Sequence, residues 1–227
     1  MGTLYLVRHG QASFGADDYD MLSELGHKQS VRLGEYWRAK GMTFDAVLVG
    51  TLKRHTQTLA GIAQGMGGDP GRDARPLSWP GLNEYDSAAV IAAIHPAPLQ
   101  TSDASAERYR AHMRLLRDGL TQWMNGVVSP KGMPSYAEFL NGVTSALDHV
   151  RAHHDGNVLL VSSGGPISAA VRHVLGTTPE TSIELNLRMR NASVTEFAFT
   201  PKRHMLVTFN TLAHLDAPQH ADWVTYT

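Results

Sequence analysis

The sequence predicts an α/β fold, a three-layer α/β/α sandwich around a mostly parallel central sheet. Two observations carry that expectation. Short apolar, β-prone runs recur along the chain at Thr3–Val7, Ala46–Val49 and Val158–Val161, and the last is apolar throughout, as a strand covered on both faces must be. Segments with apolar residues at helical spacing separate these runs, and alternation of strand and helix favours parallel pairing.

The elements follow in order. Thr3 to Val7 runs straight into Arg8-His9-Gly10, where the glycine permits a sharp turn, so a buried strand is expected to end in a loop. Ser23 is placed to cap a helix carrying Leu25, Leu33, Tyr36 and Trp37, with Gly41 placed to close it. After the Ala46–Val49 strand comes a helix over residues 52–63 with Arg54 near its start. Between residues 65 and 134 the pattern loosens into Gly67-Gly68, prolines from Pro76 to Pro98 and a helix over Ala106–Met124; this reads as an excursion from the core that partly covers the site. Ser135 and Glu138 have capping-box spacing ahead of a helix through Val143, Leu147 and Val150. Gly164-Gly165-Pro166 opens a further helix through Ile167, Val171 and Val174, and β-prone runs at Ser193–Phe199 and Met205–Thr211 finish the chain.

Composition narrows the function classes. Hydrophobic residues make up 42% of the 227, enough for one sizeable core, and no composition shift divides residues 1–227 into two bodies. A formal net charge of -1 with 18% charged residues supplies no basic stripe for a nucleic-acid backbone. The absence of cysteine excludes disulfides, thiolate metal sites and a cysteine nucleophile. The first residues carry no secretory pattern, and no apolar run approaches the ~20 residues that span a bilayer. A cytoplasmic protein with neither membrane nor nucleic-acid partners is expected, a homodimer being only the commonest default assembly.

The chemistry concentrates at Leu4–Gln11, LYLVRHGQ, which puts an arginine and a histidine at the carboxyl end of a buried strand, where open α/β sheets build their sites. A neutral imidazole can attack phosphorus, and a neighbouring guanidinium can hold phosphoryl oxygens in a fork that lysine cannot reproduce. His9 is the candidate nucleophile and Arg8 the clamp. Gln11 and Ser13, just past the loop, either touch the phosphate or leaving group or only satisfy backbone. His149 and His153 lie at i and i+4 beside His154, a spacing that suits a metal, but Asp155-Gly156 marks a helix end, and a solvated cluster is expected there. His214 is expected to be structural.

Several further motifs extend this chemistry. LYLVRHGQAS, LSELGHKQSVRLGEY from Leu22, TLKRHTQT from Thr51, Gly81-Leu82-Asn83-Glu84, SSGGPI from Ser162, NASVT from Asn191 and FNTLAHL from Phe209 together resemble the histidine phosphatase, or phosphoglycerate-mutase-like, superfamily over nearly the whole chain. That resemblance implies a phosphoglycerate-mutase-like fold, a phosphohistidine intermediate on His9, Arg54 as the second arginine of the phosphate pocket and Glu84 as the general acid. It implies a phosphorylated small molecule or phosphoprotein as substrate and requires no metal or organic cofactor. Phosphatase is favoured over mutase because the family's mutases resemble RHGESxWN where this chain reads RHGQASFG, with Gly15 in the asparagine's place.

One departure stands out. The resemblance implies a second histidine just before the Gly-Gly pair, and Ser163 occupies that position. A serine hydroxyl and the backbone N–H groups at Gly164-Gly165 still suit an anion, but the loss of one preorganised donor is worth ~2.7–4 kcal/mol in the transition state. Weakened catalysis, or a phosphate- or phosphoprotein-binding module without turnover, is therefore the alternative to the phosphatase, and Ser163→His is expected to raise the rate. His55 directly follows Arg54, and because successive helix residues diverge by ~100°, it is not expected to share Arg54's pocket.

Overall fold

A computed structural model describes residues 1–13, 20–71, 75–96 and 105–226; Gly15 and Pro98 lie outside these. Among the described residues six strands form one sheet in the order β3-β2-β4-β1-β5-β6. β1 (Gly2–Arg8), β2 (Ala46–Val49), β3 (Leu77–Ser78) and β4 (Asn157–Ser162) run parallel, and β5 (Val194–Thr200) and β6 (Arg203–Thr211) add an antiparallel edge. The mostly parallel α/β architecture is as the sequence predicts.

Alternation along the strands builds two cores, because successive side chains leave a strand on opposite faces. Leu4, Leu6, Leu48, Val158 and Leu160 join Leu147, Val150, Ile167 and Val171 on one face. These helical partners belong to α5 (Tyr136–His153) and α6 (Gly164–Leu175). Val7, Val47, Val49, Leu159 and Val161 pack with Leu33, Trp37, Leu59 and Ile62 on the other, from α1 (Glu24–Ala39) and α2 (Lys53–Met66). Both faces of β2 and β4 are buried, which explains their unbroken apolar sequence.

The caps behave as their chemistry dictates. Ser23 accepts from the Gly26 N–H at 3.0 Å, and Ser135 and Glu138 form a reciprocal capping box. Gly41 takes φ of +63° just past α1, and Gly67 takes +82° at the end of α2, backbone that glycine adopts without strain.

The described residues of the looser middle form more regular elements than its composition predicts. β3 joins the sheet edge there, Leu82 enters the main core, and α3 (Ser87–Ile94) and α4 (Ser105–Met124) follow. Val90, Leu116, Leu120 and Trp123 pack with Tyr136 and with Ile183 of α7 (Pro179–Leu187). Two-residue β3 is too short for a periodic signal, α3 is apolar nearly all round, and α7 shows no single apolar stripe, so all three escape the sequence reading. No helix among the described residues is long and apolar enough to cross a membrane.

Candidate active site

Strand order β2-β4-β1 sets three carboxyl ends side by side, leading into Gly50, Ser163 and His9. The loop after β1 is tightly specified. The His9 N–H donates to the Ser162 carbonyl at 2.8 Å, and the His9 carbonyl accepts from the Ala192 N–H at 3.1 Å. Gly10 faces the backbone of Gly26 so closely that any β-carbon would run into the Gly26 carbonyl, which is the physical reason for glycine after the histidine. The Gly10 N–H donates to Thr58 Oγ1, which in turn donates to the Arg54 carbonyl. Thr58 thus ties the first loop to the first turn of α2.

His9 is 4% exposed, and its Nδ1 lies 2.7 Å from the Gly10 carbonyl. A carbonyl can only accept, so Nδ1 carries the proton and Nε2 keeps its lone pair. Burial holds the imidazole well below its ordinary value of 6.5, and Arg8, Arg54 and His55 push it further in the same direction. The ring is therefore neutral.

Arg8 and Arg54 are each 8% exposed. Arg8 Nη1 donates to the Met189 carbonyl, with the Tyr226 carbonyl at 3.5 Å. Arg54 Nη1 pairs with Asp20 Oδ1 at 2.7 Å, and Asp20 Oδ2 accepts from the Lys53 N–H at 2.9 Å. Leu52 provides no side-chain cap for α2, so the Asp20 carboxylate serves as its N-terminal anion.

Glu84 follows the 3₁₀ turn Pro80–Leu82, and both carboxylate oxygens accept from the Gly165 N–H, at 3.1 and 3.2 Å. Burial raises its pKa, against the lowering effects of that N–H, Arg54, Arg8 and the Tyr85 N–H. The Gly165 donor, expected to be open to an anion, is thus committed to Glu84. Gln11 Oε1 accepts from the Ser23 hydroxyl at 2.8 Å, and the Ser13 N–H donates to the Met21 carbonyl, so both residues make local bonds around the start of α1. His214 is buried, while His149 and His153 stack at 4.4 Å near the end of α5.

His55 overturns its expectation. It is fully buried, its ring centroid lies 5.8 Å from that of His9, and its Nε2 lies 2.6 Å from Ser163 Oγ. The ~100° step between neighbouring helix residues is real. At the first turn of α2, however, that step carries the longer arginine toward Asp20 and the imidazole over the ends of β2 and β4.

The profile of the histidine phosphatase superfamily (branch 1) matches residues 4–212. The chain belongs to that superfamily. A 2,3-bisphosphoglycerate-dependent phosphoglycerate mutase of Dichelobacter nodosus is 26% identical over 235 residues, covering 87% of this chain and 88% of its own. Two phosphatases stand among the solved structures that share the fold. A mutant phosphoserine phosphatase from Entamoeba histolytica in complex with phosphoserine is 18% identical, with a TM-score of 0.62, over 95% of this chain and 100% of its own. Mycobacterial glucosyl-3-phosphoglycerate phosphatase with inorganic phosphate is 22% identical, with a TM-score of 0.64, over the same shares. The superfamily match gives this chain a phosphatase or mutase-like function, and the loop after β1, Arg54 and Glu84 all fall within the matched residues.

Proposed function

We propose that this superfamily member is a phosphatase that hydrolyses a phosphomonoester through a phosphohistidine on His9. The observation that carries the reading is the state of His9: a buried neutral ring whose Nδ1 is committed to Gly10 and whose Nε2 is left with its lone pair. A structural histidine gains nothing from two neighbouring arginines, which only make its protonated form less stable.

In the first step, Nε2 attacks phosphorus, the bond from phosphorus to the leaving oxygen breaks, and the Glu84 carboxyl proton passes to that oxygen. In the second, water attacks phosphorus, the P–N bond breaks with its electrons returning to Nε2, and the proton from water passes to the Glu84 carboxylate. The raised pKa of Glu84 suits an acid that must hold its proton until the leaving group needs it. Arg8 and Arg54 stabilise the phosphoryl oxygens from a site shielded from bulk water, where preorganised charge is worth most. Neither step calls on a metal or an organic cofactor.

Phosphoserine and inorganic phosphate in the structures that share this fold support a phosphorylated small molecule as substrate. The mutase relative keeps phosphoryl transfer to a second substrate as the competing outcome. Phosphate release from p-nitrophenyl phosphate, followed over acid to neutral pH without added metal, tests the reading against His9→Ala. Release that disappears with His9 supports it; equal release from both proteins overturns it.

A further inference from the structure

His55 has no place in the mechanism above, yet it is a fully buried imidazole directly beside the site. Its ring lies between two strand ends. A β-carbon on Gly50, after β2, would collide with Nδ1, and Nε2 meets Ser163, after β4, at 2.6 Å. Since β4 lies between β2 and β1, Ser163 has His55 on one side and His9 on the other.

The proton on this imidazole can be placed. Burial, reinforced by Arg54, lowers the His55 pKa to about 3, so the ring is neutral and carries one proton. Nδ1 is buried and has no hydrogen-bond partner among the described residues. A buried N–H without an acceptor is costlier and rarer than a bare acceptor nitrogen. The proton therefore belongs on Nε2, which donates to Ser163 Oγ. The hydroxyl is then occupied as an acceptor on its β2 side, and its own proton is free to donate elsewhere.

We propose that His55 is a positioning residue of the phosphoryl-transfer centre: by donating Nε2–H to Ser163 Oγ, it commits the serine proton to the His9 side of the pocket. Two side chains then supply the donor that the resemblance assigns to one histidine at position 163. The inference rests on the reading of His9 as the phosphoryl carrier. It also accounts for Ser163 forming no side-chain cap at the start of α6, although serine favours that role: its oxygen is engaged by His55.

The test measures kcat and KM for p-nitrophenyl phosphate, and tungstate affinity by titration calorimetry, in the full chain and in His55→Ala, His55→Gln, Ser163→Ala and the His55→Ala/Ser163→Ala pair. Each alanine variant is expected to lose kcat on the order of 10²-fold, the effect of one preorganised donor, with KM little changed. The pair is expected to fall no further than the worse single variant, because His55 acts only through the Ser163 hydroxyl. His55→Gln, whose amide can present an N–H to Oγ, is expected to recover most of the rate. Side-chain ¹⁵N spectra of the unmodified protein are expected to show His55 protonated at Nε2. Unchanged kcat in both alanine variants, fully additive losses, or a proton on Nδ1 overturns the proposal. Absence of His9-dependent turnover defeats the phosphatase reading instead, and tungstate affinity then decides: weaker binding in both alanine variants with recovery in His55→Gln supports the donor, and unchanged affinity overturns it.

Discussion

His55 Nε2 lies 2.6 Å from Ser163 Oγ in a fully buried contact, and that contact fixes how much room position 163 has. From the sequence alone, Ser163→His restores a missing donor and raises the rate. The contact argues for the opposite outcome, because a second imidazole at 163 would meet the one already held at 55. Ser163→His is expected to lower both kcat and stability, the latter by about 1–3 kcal/mol for an overpacked core site. His55→Ala/Ser163→His, which moves the imidazole from one strand end to the other, is expected to exceed both single variants in kcat. Melting curves and steady-state rates on the three proteins check the ordering.

The pH profile follows from two opposed shifts. His9 must be neutral to attack, and its lowered pKa places the acid limb of kcat/KM below the ordinary imidazole value of 6.5. Glu84 must be protonated to act as the acid, and its raised pKa moves the alkaline limb above the usual carboxylate range. Glu84→Gln is expected to abolish that alkaline limb. It should cost about 10²–10⁴-fold in kcat/KM with an alkyl phosphate, whose leaving oxygen needs the proton, and far less in kcat/KM with p-nitrophenyl phosphate, since hydrolysis of the shared phosphoenzyme enters kcat alone. Equal losses on the two substrates would remove Glu84 from the role.

Buried neutral histidines also set an acid limit on stability. His55 and His214 each hold a pKa of about 3, chiefly through burial. Below 6.5 the unfolded chain takes up protons that the folded protein refuses, so stability falls as pH drops from 6.5 toward 3. Each histidine is expected to cost about 2 kcal/mol by pH 5. Denaturant titrations of the unmodified protein and His214→Gln over this interval are expected to show a shallower decline in the variant.

Much of the site is legible in the sequence because its residues sit where strands stop. Arg8 and His9 follow an unmistakable apolar run, and Ser163 follows another, so the parallel strand order alone brings them together. Arg54 and Glu84 come from the ordered motifs rather than from periodicity, and the structure puts both beside these strand ends. His55 is misread because a helical-wheel argument treats the first turn of α2 as an isolated cylinder, whereas the ends of β2 and β4 offer the imidazole a buried partner there. Asp20 and Thr58 escape notice for a related reason. Both act through tertiary hydrogen bonds, Asp20 to Arg54 and the Lys53 N–H and Thr58 to the Gly10 N–H, and such bonds leave no periodic trace.

The glycine of Arg-His-Gly offers a purely structural check. Gly10 abuts the Gly26 carbonyl with no space for a β-carbon. Gly10→Ala is expected to destabilise the fold by at least about 1–3 kcal/mol and to displace the His9 loop from Thr58, reducing kcat as well. Urea unfolding with an unchanged m-value reports the first effect, and turnover of the folded fraction reports the second.

The central claim is that His9 carries the phosphoryl group, and rapid alkaline quenching during turnover tests it most directly, because phosphohistidine survives alkali. Peptide mapping by mass spectrometry of the quenched protein is expected to find one phosphoryl group on the peptide containing His9, lost when substrate is exhausted and absent from His9→Ala. Continued turnover with no phosphoryl group on that peptide, or turnover undiminished in His9→Ala, would contradict it.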